Sequence, residues 1–225
     1  MERKFRFSEG EYYHIYSRGV EKREIFLDNN DRERFLRLLF LANSKKPIRF
    51  TDFKNLSYSE IDRGELRTAI GAFCFMPNHF HLLIRETKEG GVSAFMGKLL
   101  TAYSMYFNKK NERTGSLFEG AFRAEHVDSD NYLKYLFAYI HLNPVKLIDP
   151  DWKENGIQDK ETVLKYLEKY QYSSYSEYKG VVREENAIIS RESFPEYFVE
   201  PKDFDELIHD WLEYNKEDGL QGESL

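Results

Sequence analysis

An α+β fold is predicted by three observations on the sequence. Aromatic and β-branched runs alternate with period two, apolar positions recur at helical spacing between them, and the order along the chain is strand, helix, strand, strand, helix, strand, helix. Tyr12–Arg18 reads YYHIYSR and stops at Gly19, which predicts the first strand. A helix is predicted over 32–44, where Phe35, Leu38, Leu39 and Ala42 share one face, with Asn30 or Asp31 as its cap. Residues 45–65 carry Pro47 and many polar groups without a sustained period, and are expected to be an insertion or long loop.

Two apolar runs, 66–76 and 79–85, flank Pro77-Asn78, a dipeptide suited to the turn of a hairpin. A second helix is expected over 92–110 after the break at Gly90-Gly91, with Phe95, Leu99, Leu100, Tyr103 and Phe107 on its period. Residues 115–127 supply a further strand. Asp128 or Ser129 then caps a third helix that ends at Leu142, before Pro144. This order is the ferredoxin-like (split βαβ, RRM-like) arrangement: an antiparallel sheet with two helices on one face, leaving the other face to hold a site.

The expected organisation is a functional domain over 1–148 and a mostly helical C-terminal extension over 149–225. The extension begins with a tyrosine-dense stretch (Tyr166, Tyr170, Tyr172, Tyr175, Tyr178), then a short amphipathic helix over 204–211, then a polar end at 216–225 expected to fray. Its tail is acidic. Nine acids against two bases between 200 and 225 leave −7 there, and +1 for residues 1–199, out of a total of −6. Any nucleic-acid-binding surface would therefore have to be a local patch rather than a global field, and the charge count neither supports nor excludes one. The single cysteine, Cys74, forms no internal disulfide, no apolar run approaches the ~20 residues of a membrane span, and the charged N-terminus lacks the apolar block of a secretory signal; a cytoplasmic protein is expected, with no membrane partner.

The chemistry begins with His79-Phe80-His81 at the start of a predicted strand, where alternation puts both imidazoles on one face and Phe80 on the other. Such a pair can hold a divalent ion; the alternative is two partly exposed histidines at a strand edge. The pair superficially matches the motif of a histidine-triad nucleotide hydrolase, but the third histidine is missing and position 83 is Leu83, which disfavours that reading. His14, on the first strand, is expected to be packed or solvent-facing, the alternative being that it lines the same sheet face as the pair, and His141 is expected to be structural.

The stretch Cys74–Ile84 (CFMPNHFHLLI) resembles the signature of the single-tyrosine HUH transposases, in particular the REP-associated tyrosine transposases. So do Tyr139–Val145 (YIHLNPV), Arg113–Gly120 (RTGSLFEG) and Tyr172–Tyr175 (YSSY), in order along residues 12–178. The resemblance implies a DNA nicking and strand-transfer enzyme acting on single-stranded, hairpin-containing DNA through a 5′-phosphotyrosine. It places the nucleophile on Tyr139, metal ligation on His79, His81 and the polar residue four beyond the tyrosine, Asn143, and makes the cofactor Mg²⁺ or Mn²⁺. Asn143 read as a helix-terminal residue before Pro144 is the alternative for that position.

Tyr139 and Asn143, four apart, stack on one helix face. Tyr132 and Tyr135 share that helix and are read as packing residues. Candidate DNA contacts are Arg18, Lys98, Lys109, Lys110, Arg113 and Arg123. The chain departs from the family at Ala121, where a basic residue is usual. A non-catalytic DNA-binding regulator derived from such an enzyme is the competing reading, and a homodimer is left open.

Overall fold

Tyr12–Arg18 (β1), Thr68–Met76 (β2), His79–Glu86 (β3) and Arg123–Val127 (β4) form one antiparallel sheet of order β2-β3-β1-β4 in a computed structural model that describes residues 5–47 and 50–213. Pro77 and Asn78 link β2 to β3 as the hairpin predicts. β1 lies between β3 and β4, with Arg18 opposite His79, Tyr16 opposite His81 and His14 opposite Glu125.

Asn29–Ala42 (α1) and Gly91–Lys110 (α2) cover one face. Phe35, Leu39, Phe95, Leu99 and Tyr103 pack there against Ile15, Phe73, Phe75, Phe80, Leu82 and Ile84. Asp130–Leu142 (α3) covers the other face with Lys160–Lys169 (α4) and Pro201–Glu213 (α5). Here Leu133, Phe137, Ile140 and Phe204 meet Ala72, Cys74, Met76, Leu83 and Val127. β2 contributes to both cores by alternation, and a bulge between Ile70 and Ala72 switches the phase, so that Ile70, and then Phe73 and Phe75, face α1 and α2. Gly71 at the bulge admits the Phe194 ring, which would stand 2.6 Å from a Cβ at that position.

The C-terminal extension is laced onto the free edge of β2. Tyr172 O accepts from Phe75 N (2.9 Å), Ser174 N donates to Phe73 O (3.0 Å) and Ser190 N donates to Ile70 O (2.9 Å). An edge that would otherwise offer unpaired backbone groups is closed. Ser174 does more, since its hydroxyl accepts from Phe73 N (2.9 Å) and lies 2.6 Å from Nε2 of His141, whose Nδ1 is 2.7 Å from Phe137 O. The proton on Nδ1 serves the carbonyl and leaves Nε2 to accept from Ser174. His141 is thus structural, as expected, and fastens α3 to the sheet. Burial, the largest cause, brings its pKa down to about 3.

Three boundaries differ from expectation. The cap of α1 is Asp28, whose carboxylate accepts from Asp31 N, while Asp31 is buried and turned back to accept from Leu27 N. Residues 45–65 contain a helical turn at Phe50–Phe53 and another at Tyr58–Glu60, and they are packed rather than loose: Tyr58 stacks on Phe40 at 4.5 Å and the Arg63 guanidinium lies 3.6 Å from the Phe40 ring centroid. The last strand covers only 123–127. Before it, Gly120 takes a positive φ of 80° and a single bridge joins Phe118 to Gly19. The expected fraying end at 216–225 lies outside the described residues. Among the described residues no helix is long and apolar enough to cross a membrane.

Candidate active site

Strand alternation sorts one face of the sheet into two zones. Leu83, Ala72, Cys74 and Met76 enter the apolar core under α3, while Tyr16 and Arg18 of β1, His79 and His81 of β3 and Arg123 and Glu125 of β4, together with His14, line the polar part of the face beside them. α3 brings Tyr139 over that polar part. Its ring centroid lies 5.4 Å from His81 and 5.9 Å from His14, edge-on to both. Tyr135 is one turn back, stacked on Tyr132 and Tyr139 and tilted against Trp211, so Tyr139 is the tyrosine of α3 that meets the imidazoles.

His14 is the principal correction. Instead of simple packing, its Nε2 lies 2.9 Å from Nδ1 of His81, with both rings buried. On its other side Nδ1 faces Glu125 at 3.8 Å, too long for a hydrogen bond but near enough to favour the proton on that nitrogen. His14 Nε2 then accepts from Nδ1–H of His81, leaving the lone pair of His81 on Nε2. Glu125 also accepts from the hydroxyls of Tyr16 (2.9 Å) and Tyr132 (3.0 Å). His14 and these hydroxyls hold its carboxyl below the usual range, against the opposing effect of burial.

His79 and His81 stand with ring centroids 5.0 Å apart and planes at 89°. Nδ1 of His79 is 2.6 Å from Oδ1 of Asn78, which leaves its Nε2 unengaged. Both imidazoles are neutral. Burial, then Arg18 and Lys146, bring His79 down to about 4, and burial with the charges nearby puts His81 well below the ordinary value. Asn143 donates through Nδ2 to Tyr139 O (3.0 Å), and its Oδ1 is buried with no partner.

Among the described residues no three His, Cys, Asp or Glu side chains cluster as for a metal ion, so the candidate donors are the two Nε2 atoms and the orphaned Asn143 oxygen. Two neutral nitrogens and an amide oxygen are a chemically suitable partial shell for Mg²⁺ or Mn²⁺, and the residues fit the expected ion.

The tyrosine itself is not pre-ionised. Burial raises the Tyr139 phenol above its ordinary pKa, the Asn143 side chain acts in the opposite direction, and Glu125 adds to the rise. Two cations outside the expected set also converge here. The Lys153 ammonium lies 4.6 Å from the Tyr139 ring centroid. Although the residue is exposed overall, the protein packed round its charge, and then Lys146, bring it down to about 8. Half-buried Lys146 is lowered by burial and then by Arg18. Spacing held a signal for Lys146, seven residues beyond Tyr139 and so two turns along; nothing local marked Lys153.

The expected DNA contacts divide. Arg18 and Arg123 are exposed and border the site, opposite His79 and Tyr16 respectively. The other four belong to the α2 layer, across the sheet. Lys98 reaches the carbonyls of Ser44 and Lys46, Lys110 pairs with Asp28 (2.8 Å) and Asp31 (2.6 Å), and Arg113 donates to Asn108 Oδ1 (2.7 Å). Lys109 is exposed at the end of α2. An apolar groove of about 620 Å³ between α2 and residues 115–122, lined in part by Ala121, contains none of the site residues.

One solved structure, described as "Structure of the REP associates tyrosine transposase bound to a REP hairpin", superposes with a TM-score of 0.50 at 12% identity, over 82% of this chain and 90% of that one. A family model described as "Transposase IS200 like" matches residues 9–143, and the chain belongs to the IS200-like transposase family. Its function is accordingly of the DNA transposase kind. No curated protein matches the chain. The matched span holds His14, His79, His81, Glu125, Tyr139 and Asn143; Lys146 and Lys153 lie beyond it.

Proposed function

We propose that this protein cuts and rejoins single-stranded, hairpin-containing DNA through Tyr139, with Mg²⁺ or Mn²⁺ held by His79, His81 and Asn143. The observation that carries the reading is the seat of Tyr139 on the same polar part of the sheet as both imidazoles, 5.4 Å from His81 between ring centroids. Family membership and the hairpin-bound neighbour support DNA as the partner.

In the proposed reaction the Tyr139 oxygen attacks a phosphodiester phosphorus. The Oη–P bond forms, the P–O3′ bond breaks, the phenol proton passes to solvent and the leaving oxygen takes up a proton as a 3′ hydroxyl. A bound divalent ion would supply charge neutralisation at a non-bridging oxygen. The chain's own residues do the rest. α3 holds the phenol in place through the His141–Ser174 link, and the His14 hydrogen bond fixes the His81 ring so that its Nε2 is presented to the site. Reversal on a second 3′ hydroxyl rejoins DNA without a nucleotide cofactor, since the phosphotyrosine retains the bond energy.

Incubation with labelled single-stranded hairpin DNA from the gene's own flanks, in Mg²⁺ or Mn²⁺, should give a covalent protein–DNA adduct. Tyr139→Phe should abolish it while hairpin affinity is kept, and His79→Ala should abolish it through loss of the metal. An adduct that persists in Tyr139→Phe and maps to Tyr135 removes Tyr139 as nucleophile. Hairpin binding with no adduct at all identifies a DNA-binding regulator instead.

A further inference from the structure

Three cations surround the polar part of the sheet with no counter-ion. Arg18 closes β1 beside His79, Lys146 sits in the turn Asn143–Leu147 that follows α3, and Lys153 extends over Tyr139 from the short helix Trp152–Asn155, whose Trp152 is buried. Among the described residues none of the three side chains makes a hydrogen bond or an ion pair. They act on one another: Arg18 disfavours the charge on Lys146, and Lys146 that on Lys153. The acid that β4 places on this face, Glu125, is already engaged by Tyr16, Tyr132 and His14.

Other cations of the chain do have acids beside them, Lys110 with Asp28 and Asp31 and Arg183 with buried Glu177. Like charges gathered without a partner destabilise the free protein, and an arriving anion relieves the repulsion.

We propose that Arg18, Lys146 and Lys153 form an anion site for the DNA phosphates beside Tyr139, so that the segment following the family match supplies two of its three charges. The inference deepens the function proposed above and rests on it for the identity of the anion. It has a consequence for the metal ligands. His79, His81 and Asn143 are neutral donors, so in the free protein the three cations oppose a divalent ion, and phosphate offsets that opposition. Removing a lysine should therefore weaken DNA binding and strengthen metal binding.

The test uses the full chain and its Lys146→Met, Lys153→Met and Lys153→Arg variants, each checked for wild-type thermal unfolding. A fluorescent single-stranded hairpin oligonucleotide is titrated in EDTA at several salt concentrations. Mn²⁺ alone is titrated onto the free protein by electron paramagnetic resonance. Each methionine variant should lose about three- to tenfold in DNA affinity at low salt and about one unit of salt slope, while Lys153→Arg keeps both. Mn²⁺ should bind the free methionine variants more tightly than wild type.

An unchanged salt slope in both methionine variants overturns the site. So does Mn²⁺ binding that fails to tighten, the result expected if the lysines only support the fold. The two readings fail separately: wild type that forms no adduct sinks the proposed chemistry, whereas the oligonucleotide and Mn²⁺ titrations still report on the anion site.

Discussion

Beneath α1 and α2 the sheet presents Ile15, Phe73, Phe75, Phe80, Leu82 and Ile84, and the helices answer with Phe35, Leu39, Phe95 and Leu99. Beneath α3 the sheet presents Cys74 and Met76 on β2 and Leu83 on β3, but Tyr16, Arg18, His79, His81 and Glu125 beside them across β3, β1 and β4. The first face is an aromatic core without chemistry. The second carries titratable groups whose mutual geometry depends on strand spacings that the first face sets. Stability and chemistry are thus divided across a single layer of backbone, and substitutions on the two faces should give separable effects.

The largest expected effect lies on the apolar face. Phe35 is fully buried, with ring centroids 4.9 Å from Phe75, 5.1 Å from Phe80 and 4.8 Å from Tyr103. Phe35→Ala should cost about 3–5 kcal/mol in urea unfolding, while the fraction that stays folded forms adduct at the wild-type rate. A folded fraction with a much lower rate would show that the two faces are not separable.

On the polar face, His14→Ala should leave a smaller mark on stability and a clear one on the metal. With the 2.9 Å hydrogen bond to His81 gone, the imidazole loses the partner that fixes its ring, and Mn²⁺ affinity should fall by about 10–100-fold, or about 1.4–2.7 kcal/mol. His14→Gln, whose amide oxygen can accept the same hydrogen bond, should recover part of it. Equal Mn²⁺ affinity in His14→Ala and wild type would remove His14 from any positioning role.

The contrast also explains what could be read from the sequence. Periodicity located β1, the hairpin, α2 and α3 because each buries one regular face. It placed the α1 cap wrongly because Asp28, Asn29, Asn30 and Asp31 are all competent caps, and the choice falls to the buried Asp31 that binds Lys110. Tyr139, His79, His81 and Asn143 were legible through motifs. Alternation allowed His14 on the same face, but its contacts with His81 and Glu125 were not legible, because they come from strand pairings distant in sequence. The basic patch read along 98–123 combined charges that the fold sends to the α2 layer with Arg123, which borders the site. Lys153 owes its place to the anchoring of Trp152, a tertiary contact without local signature.

The smallest effect concerns the link between the faces and is read from pH. His141 is fully buried and neutral, brought down to about 3 chiefly by burial, from an ordinary value of 6.5. Because its folded pKa is depressed, the unfolded chain binds the extra proton. The stabilisation is complete above about pH 6.5 and is lost as pH falls towards the folded value. Between pH 7.5 and 5.5 this histidine alone should cost about 1.4 kcal/mol. His141→Gln should be less stable at pH 7.5, having lost the fit between Phe137 O and Ser174, yet its loss on acidification should be smaller than that of wild type by about that 1.4 kcal/mol. Taking the difference of the two losses cancels the other histidines, His79 and His81 among them. If both proteins lose the same stability over this interval, His141 is not held neutral, and the fastening of α3 that sets Tyr139 over the imidazoles has been assigned to the wrong residue.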